Sequence, residues 1–283
     1  MSDSNSTGMS GALRERFWTA LMLALATTGA VLWLPTAGLA VALVPAIGLA
    51  AWELSLLLGL TSNFSRWGYL LAVLAVMGLC WFAGLPGESL PILLPVALFW
   101  FLLMPVVFRI GVVHPAKAAD WWMLLLSVPV ITSCWIGLLA LHLLPDGGRW
   151  MVLFFLSLVW LTDIGAYFAG RRFGRRKLAP TVSPGKTVEG VMGGLLAAGL
   201  WSLMLLPVAG DALSWLWLAL LCMLTAGVSV VGDLLESWLK RRRNLKDAGS
   251  LLPGHGGVLD RVDSLLAAAP VFALGFLLWG ATG

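Results

Sequence analysis

Long apolar segments alternate with short polar connections along almost the whole chain. A hydrocarbon core about 30 Å thick requires roughly 20 predominantly apolar residues in a spanning helix, and nine segments come close to that length. Each of them is therefore predicted to be a membrane-spanning helix. The predicted spans are residues 16–34, 37–58, 67–85, 90–108, 121–143, 150–170, 190–208, 212–236 and 263–281.

The first apolar segment allows two interpretations. Its sequence, RERFWTALMLALATTGA, has a basic start, an apolar stretch and small residues, which is also typical of a secretory signal peptide. We interpret it as an uncleaved first helix, because the second segment follows after only a short turn that contains Pro35. The chain is thus predicted to have a disordered cytoplasmic N-terminus in 1–15, five spans in 16–145 and four spans in 146–283.

Composition supports a membrane protein. Hydrophobic residues make up 60% of the 283 residues and charged residues only 11%, whereas a soluble core is built from shorter, amphipathic segments. The predicted fold class is all-α, a polytopic integral membrane protein with one helical membrane domain. Cys80, Cys134 and Cys222 each lie alone in an apolar segment, which excludes a disulfide framework or a paired metal site and predicts a packing role.

The basic residues predict the orientation of the chain in the lipid bilayer. If the N-terminus is cytoplasmic, every one of the 18 lysines and arginines except Arg149 lies on the cytoplasmic side, as the positive-inside rule expects. The C-terminus then lies on the opposite side of a bacterial-type inner membrane. The outer connections are short and nearly uncharged, so we expect any chemistry in the basic inner connections 171–189 and 237–262. No nucleic-acid partner is expected.

Five carboxylates lie close to the cytoplasmic face. Asp233 and Glu236 are three residues apart, and Asp260 and Asp263 have the same spacing, so each pair shares a helical face. Asp163 lies about 12 Å along its helix from the basic connection. Any one of them could simply cap a helix or pair with a basic side chain. Their common depth in three helices favours an oxygen-rich cluster that faces a polar cavity, which would suit Mg²⁺ shared with substrate phosphates.

The basic runs have a general interpretation as well. The runs from Arg171 to Lys177 and from Lys240 to Arg243 would fix topology and attract anionic lipid in any membrane protein. For Arg242 and Arg243 we prefer that interpretation.

Other basic residues lie in sequences that favour tight turns. Lys186 follows Ser183 in SPGKTVEG, just before a predicted helix, which indicates an anion site although it does not match a P-loop. Lys246 and Arg261 lie on either side of LPGHGG, whose glycines allow a phosphate to approach the backbone. His255 in that segment has no second histidine nearby for zinc and no nucleophile-elbow serine for a triad. We interpret it as a phosphate contact or an organising hydrogen-bond group.

The segment SWLKRRRNLKDAGSLLPGHGGVLDRVD, residues 237–263, resembles the signature of the phosphatidate cytidylyltransferase family, also called CDP-diglyceride synthetases. The fixed positions of that signature are all present, at Ser237, Lys240, Arg241, Lys246, Asp247, Gly249, His255, Gly256, Gly257, Asp260, Arg261 and Asp263. Residues 163–190 are similar to a second recurring stretch of the family. The N-terminal half matches the family only as generic hydrophobic helices.

The resemblance implies that CTP and phosphatidic acid react to give CDP-diacylglycerol and pyrophosphate, with Mg²⁺, a possible second cation and a homodimeric protein. The lipid phosphate attacks the α-phosphorus of CTP, so no protein nucleophile is required. The expected metal ligands are Asp233, Asp260 and Asp263, with Asp163 and Glu236 as additional candidates. The expected catalytic residues are Asp233, Asp260, Asp263, Lys246, His255 and Arg261. The expected substrate-binding residues are Ser183, Lys186, Ser237, Lys240, Arg241, Gly256 and Gly257.

Two alternatives remain at this level. An ion-coupled transporter would also have acids inside its spans, but it would usually carry polar residues near the middle of the membrane and on the far side. A CTP-dependent lipid kinase, for example one that acts on a polyprenol, would transfer the γ-phosphoryl group and release CDP. Release of pyrophosphate separates the cytidylyltransferase from this kinase.

Overall fold

The computed structural model describes residues 11–110, 112–116, 118–249, 251 and 256–282. Within these residues the protein is almost entirely helical, with one small antiparallel hairpin, which confirms the predicted all-α class. The helices are α1 (Gly11–Trp33), α2 (Thr36–Leu57), α3 (Asn63–Phe82), α4 (Leu90–Phe108), α5 (Trp121–His142), α6 (Gly148–Phe173), α7 (Val188–Trp201), α8 (Leu206–Ala209), α9 (Ala212–Arg242) and α10 (Leu259–Thr282). The strands are β1 (Lys177–Ala179) and β2 (Ser183–Thr187).

Eight segments of the described chain are long and apolar enough to cross a membrane. They are α2 to α6, the combined segment Val188–Ala209, α9 and α10, and they match the last eight predicted spans. In the combined segment a 3₁₀ turn at Ser202–Leu205 joins α7 to α8. The first predicted span corresponds to α1, whose apolar part, Leu21–Trp33, is shorter than the others. The chain is therefore a multi-pass membrane protein.

Two helices extend further into the basic connections than the apolar pattern predicts. α9 has 31 residues, about 46 Å at 1.5 Å per residue, and therefore exceeds the hydrocarbon thickness. Lys240, Arg241 and Arg242 consequently lie in its last turn, where their charge complements the helix dipole. Likewise, Arg171 and Arg172 lie in the last turn of α6. The predicted ends were too early because the apolar pattern stops at the membrane surface whereas the hydrogen-bonded helix continues.

The hairpin β1–β2 occupies the connection between α6 and α7, where no strand is predicted from sequence. Lys177 is paired with Thr187 across the two strands, and its ammonium donates a 2.7 Å hydrogen bond to the Pro184 carbonyl. The backbone N–H groups of Arg175 and Arg176 donate to the Glu189 carboxylate. These bonds anchor the hairpin at the start of α7.

Helix α10 lies at the centre of the bundle and packs against α9, α5, α4 and α2. Ala267, Ala268 and Ala269 are fully buried in it. Opposite them on α5, a Cβ at Gly137 would lie 3.0 Å from the Ala269 carbonyl oxygen. Small residues therefore let these helices approach closely, as is common between membrane helices. Helix α10 also joins the N-terminal spans to the C-terminal ones.

Candidate active site

Four aspartates from three helices line one cavity of about 270 Å³, which we call the acidic cavity. Asp163 comes from α6, Asp233 from α9, and Asp260 and Asp263 from the start of α10. Its remaining lining residues are Val159, Trp160, Arg261, Ser264 and Leu265. The structure thus brings together four of the five carboxylates singled out in the sequence. Their roles as ligands stay predictions.

A glycine beside Asp233 allows α9 to approach α10. A Cβ at Gly232 would lie 2.7 Å from the Asp263 carbonyl oxygen and 2.8 Å from the Ala267 Cβ. Because these distances are far below a normal carbon contact, only glycine fits there at this helix separation. Gly232 therefore places the neighbouring Asp233 and Asp263 at the same cavity.

Lys186 reaches Asp233 from the hairpin. Its ammonium lies 2.5 Å from Asp233 Oδ2, while the Ser237 hydroxyl, one turn further along α9, donates to Asp233 Oδ1 at 3.3 Å. Ser183 lies at the start of the same strand, β2. The structure places Ser237 as a partner of Asp233, so this predicted substrate-binding residue contributes to the position of the carboxylate.

Asp260 holds the chain in front of α10. Its Oδ2 accepts hydrogen bonds from the backbone N–H groups of Ala248 at 3.0 Å and Gly257 at 2.8 Å. Gly256 adopts a φ of 79°, and a Cβ there would lie 2.9 Å from the same oxygen. The other oxygen, Oδ1, lies 2.6 Å from the Lys240 ammonium. Asp260 thus lines the acidic cavity and also holds the backbone of the loop between α9 and α10, which we call the signature loop.

Lys240 lies between two carboxylates. Its ammonium is 2.6 Å from Asp260 Oδ1 and 2.5 Å from Glu236 Oε2. The contact with Glu236 is an ion pair between residues one turn apart on α9. Glu236 is only 5% exposed and lines a second cavity instead of the acidic one. The structure therefore places this predicted metal candidate behind Lys240, apart from the four aspartates.

Arg241 connects the hairpin to the segment that carries the signature residues. Its guanidinium donates to the Val182 carbonyl at 3.3 Å and to the Leu245 carbonyl at 3.1 Å. These contacts tie the hairpin to the chain that follows α9. Arg241, a predicted substrate-binding residue, therefore acts in this structure as a link between backbone segments.

The side chains of Arg242 and Arg243 point into the protein. Arg242 pairs with Asp120 at 2.8 Å and lies over the Trp238 ring at 4.6 Å. Arg243 donates to the carbonyls of Leu57, Ala116 and Ala118, each within 2.9 Å. Backbone and carboxylate oxygens of the N-terminal half thus bind both guanidiniums, and the interpretation that these arginines fix topology and attract anionic lipid stays a prediction.

The remaining predicted residues lie around the loop in front of α10. Arg261 lines the acidic cavity, and Lys246 is exposed after the end of α9. The N–H of Gly257 binds Asp260, as described above. His255 lies outside the described residues, so its expected role stays a prediction.

Glu53 on α2 is a site residue that is not among those predicted from sequence. It is 6% exposed, and its Oε2 accepts a 2.7 Å hydrogen bond from the N–H of Leu259, the first residue of α10. A Cβ at Gly249 or at Gly257 would overlap its carboxylate. A lone carboxylate inside a predicted span is the same signal that identified Asp163. The N-terminal half therefore contributes directly to the position of the signature loop.

The ion pairs of the described residues engage Asp233 and Asp260 and leave Asp163 and Asp263 facing the cavity. Across the same residues, no group of three or more His, Cys, Asp or Glu side chains already has an arrangement that could hold a metal ion. The site is thus an acidic cavity bordered by two ammonium groups. Each of these lysine ammonium groups forms an ion pair with one of the four aspartates. Such an arrangement suits a substrate that carries both negative phosphates and cations.

Comparison with known proteins gives matches along nearly the full chain. The model of the cytidylyltransferase family matches residues 14–279. The phosphatidate cytidylyltransferase of Pseudomonas aeruginosa is 41% identical over 274 residues, which cover 95% of this chain and 98% of that protein.

Proteins of the same name in other bacteria match part of the chain. That of Haemophilus influenzae is 47% identical over 133 residues, 46% of each chain. That of Bacillus subtilis is 39% identical over 145 residues, 51% of this chain and 54% of its own. The full-length match to the Pseudomonas protein extends well beyond the C-terminal segment that carries the signature.

Proposed function

The chain belongs to the cytidylyltransferase family, and we propose that it transfers the CMP moiety of CTP to phosphatidic acid at the acidic cavity. The products are CDP-diacylglycerol and pyrophosphate, so the protein is a nucleotidyltransferase of phospholipid biosynthesis. Family membership sets aside the lipid-kinase and transporter alternatives. The observation that carries the assignment of the site is the convergence of four aspartates from three spans beside Lys186 and Lys240.

The reaction joins two polyanions. An oxygen of the lipid phosphate attacks the α-phosphorus of CTP, and a new phosphorus–oxygen bond forms. The bond from the α-phosphorus to the oxygen that bridges to the β-phosphorus breaks, and pyrophosphate leaves with that electron pair. Catalysis of such a transfer depends on positioning and on stabilisation of charge. The residues that act must therefore supply positive charge and fixed geometry at the cavity.

Lys186, Lys240 and Arg261 supply that positive charge. Lys186 and Lys240 are each held against a carboxylate at 2.5 to 2.6 Å, so both ammonium groups are positioned before a substrate arrives. Arg261 lines the cavity itself. Charges that are preorganised in this way stabilise developing negative charge without reorganisation during the reaction. We assign them to the triphosphate of CTP and to the lipid phosphate.

The ligand types of the site suit a divalent cation, but the carboxylates would have to move closer together to hold it, since no group of three among the described residues is already arranged for a metal ion. Four aspartates line the cavity and three cationic side chains line or border it, so carboxyl groups outnumber cationic groups there. Carboxylate oxygens are the ligands that Mg²⁺ prefers. Asp163, Asp233 and Asp263 would hold it, with Asp260 as a further candidate. When bound, Mg²⁺ would neutralise phosphate charge and polarise the reacting phosphates. A second cation stays a prediction from the family resemblance.

The orientation in the membrane and the oligomeric state are also proposals. The basic residues support a cytoplasmic N-terminus and an external C-terminus, which would open the acidic cavity towards cytoplasmic CTP. The family resemblance supports a homodimer. Labelling of single cysteines placed at each terminus in sealed cells tests the orientation, and the mass of the detergent-solubilised protein tests the dimer.

The reaction is tested with purified full-length protein in detergent, phosphatidic acid, Mg²⁺ and CTP that carries label in either the α- or the γ-phosphate. We expect α-label in the lipid fraction and γ-label in pyrophosphate. Transfer of γ-label to lipid with release of CDP would instead identify a kinase. Absence of α-label from the lipid would contradict the proposed function.

A further inference from the structure

The C-terminal end of α2 is capped by a side chain from the end of α9. The carbonyls of Leu54, Ser55 and Leu56 accept hydrogen bonds from backbone N–H groups that follow α2. The Leu57 carbonyl instead accepts a 2.9 Å hydrogen bond from Arg243 Nε. The last carbonyls of a helix have no partner within it, and positive charge is favourable at that end of the helix dipole. Arg243 therefore binds α2 through a directed hydrogen bond and through its charge.

All three nitrogens of the Arg243 guanidinium have backbone acceptors. The two terminal nitrogens donate 2.8 Å hydrogen bonds to the carbonyls of Ala116 and Ala118 in the connection before α5, and one of them also lies 3.9 Å from the Asp120 carboxylate. The chain after α2 leaves room for this group, because a Cβ at Gly59, whose φ is 101°, would overlap the guanidinium. The position of Arg243 relative to α2 is therefore fixed by several directed contacts.

Arg243 is also the first residue of the signature loop, which ends where α10 begins at Leu259. The far end of the loop is held on α2 as well, because the N–H of Leu259 donates to Glu53. Glu53 and Leu57 are four residues apart, so they lie on one face of α2, about 6 Å apart along its axis. One turn of α2 thus holds both ends of the signature loop.

The signature loop lies against the proposed reaction site. Its Ala248 and Gly257 N–H groups donate to Asp260, which lines the acidic cavity. The loop also carries Lys246 and Gly256, which are expected to act on substrate. A group that is already held in place loses less conformational entropy when a substrate binds. Fixing both ends of the loop therefore preorganises its substrate-binding groups.

We propose that Arg243 is a positioning residue for CMP transfer, which together with Glu53 fixes both ends of the signature loop on one turn of α2. This inference rests on the proposed function, which places the signature residues at the reaction site. Neither Arg243 nor Glu53 is among the residues that line the acidic cavity, so both act through the loop. A general role in membrane topology would require only the charge of Arg243, whereas the proposed role requires its directed N–H groups.

The first test separates geometry from charge. Arg243→Lys keeps the charge, but one ammonium cannot reproduce the planar donor geometry of a guanidinium. We expect Arg243→Lys and Arg243→Gln each to lower kcat/KM for CTP by at least about tenfold, because small misplacements at a reaction site are costly. Arg242→Gln is the matched control, since Arg242 is the neighbouring residue, has a similar exposure and pairs with Asp120; it should retain CMP transfer. Full activity of Arg243→Lys would overturn the inference, because the charge alone would then suffice.

The second test asks whether Arg243 and Glu53 act together. If they hold one loop, loss of either residue already releases it. The double variant Arg243→Gln/Glu53→Ala should then have a kcat/KM within about threefold of that of the less active single variant, whereas independent residues would reduce it by the product of the two single effects. A multiplicative loss in folded variants would overturn the coupling.

Hydrogen exchange of the loop supplies a readout that does not depend on activity. The N–H of Ala248 is bonded to Asp260, so its exchange reports the order of the loop away from both contacts with α2. We expect this exchange to be at least about fivefold faster in Arg243→Gln and in Glu53→Ala than in wild type, as local opening becomes easier, and unchanged in Arg242→Gln. Unchanged exchange in Arg243→Gln and Glu53→Ala would overturn the inference.

The outcomes separate the inference from the proposed function. If wild-type protein transfers CMP but Arg243→Gln has normal kcat/KM and normal loop exchange, the inference fails while the function stands. If wild-type protein transfers no CMP, the proposed function fails, and faster exchange in Arg243→Gln would still support the fixing of the loop on α2. Thermal unfolding of each variant shows whether it is folded, and the milder change Arg243→Lys carries both measurements if Arg243→Gln does not fold.

Discussion

The backbone N–H of Leu259 donates a 2.7 Å hydrogen bond to the carboxylate of Glu53, which lies 206 residues earlier in the chain. Glu53 fits between Gly249 and Gly257 of the signature, where any side chain on either glycine would overlap it. The first turn of α10 begins at Leu259 and carries Asp260 and Asp263. A residue of the N-terminal half thus holds the start of the helix that carries these two carboxylates.

We expect Glu53→Ala to destabilise the protein and to lower CMP transfer. Loss of the acceptor leaves a buried N–H unpaired, which costs about 1–3 kcal/mol, and the start of α10 is no longer held. Glu53→Gln keeps an acceptor oxygen of nearly the same shape and should restore most of the activity. Glu88→Ala, which removes an exposed glutamate, serves as the control. Equal activity of Glu53→Ala and Glu88→Ala would show that Glu53 does not position the site.

Gly232→Ala is expected to separate α9 from α10. Its Cβ would collide with the Asp263 carbonyl, and overpacking of this kind typically costs about 1–3 kcal/mol. The displacement would move Asp233 away from Asp263 and lower the turnover number. At Gly227 on the same helix a Cβ has its nearest neighbour at 3.8 Å, so Gly227→Ala should retain activity. Thermal unfolding and CMP transfer of the two variants test this difference.

Much of the site can be predicted from the sequence because charge inside a membrane span is itself informative. Asp163, Asp233 and Asp263 lie in otherwise apolar segments at one depth, and the structure brings them to one cavity. Glu53 carries the same signal in α2, but its partner Leu259 is a backbone group far along the chain. No local pattern indicates such a contact.

The basic runs show where a sequence pattern has two structural solutions. A cluster of arginines at the inner end of a span is expected whether the side chains face lipid headgroups or the protein. Arg242 and Arg243 face Asp120 and backbone carbonyls of the connection before α5. That choice depends on tertiary contacts between distant segments. The short strands β1 and β2 were likewise not predictable, since three to five residues show no clear alternation.

Asp211, which lies outside the membrane spans, should make the stability of the protein depend on pH. Its carboxylate accepts hydrogen bonds from the Ser214 hydroxyl, the Ser214 N–H and the Leu213 N–H at the start of α9. These bonds lower the pKa of Asp211 below its usual value. A lowered pKa contributes stability above the pKa of the unfolded chain, and this contribution is lost as the pH falls through the folded pKa. The difference in Tm between wild type and Asp211→Ala should therefore shrink on acidification. A difference that is constant with pH would contradict the assigned cap.

Asparagine substitutions of Asp260 and Asp263 should affect CMP transfer and Tm differently. Asp263→Asn is expected to lower CMP transfer at least about 100-fold, the scale of a lost electrostatic contact at a reacting group, with little change in Tm. Asp260→Asn should lower both activity and Tm, because Asp260 also binds Lys240 and the N–H groups of Ala248 and Gly257. Asp211→Asn, the same change at an exposed cap, is the control. Near-normal turnover of a folded Asp263→Asn variant would remove Asp263 from the site.

Removal of divalent cations is expected to stop CMP transfer, and added Mg²⁺ should restore it. Because carboxyl groups outnumber cationic side chains at the acidic cavity, Mg²⁺ alone should raise Tm, since a ligand that binds only the folded state stabilises it. Asp163→Asn removes one of the two aspartates that face the cavity outside the lysine ion pairs. We expect it to increase at least tenfold the Mg²⁺ concentration required for half of the maximal rate and to reduce the shift in Tm. Asp211→Asn should change neither quantity. Full activity in the presence of a chelator, with no effect of Mg²⁺ on Tm, would show that the carboxylates act without a divalent cation.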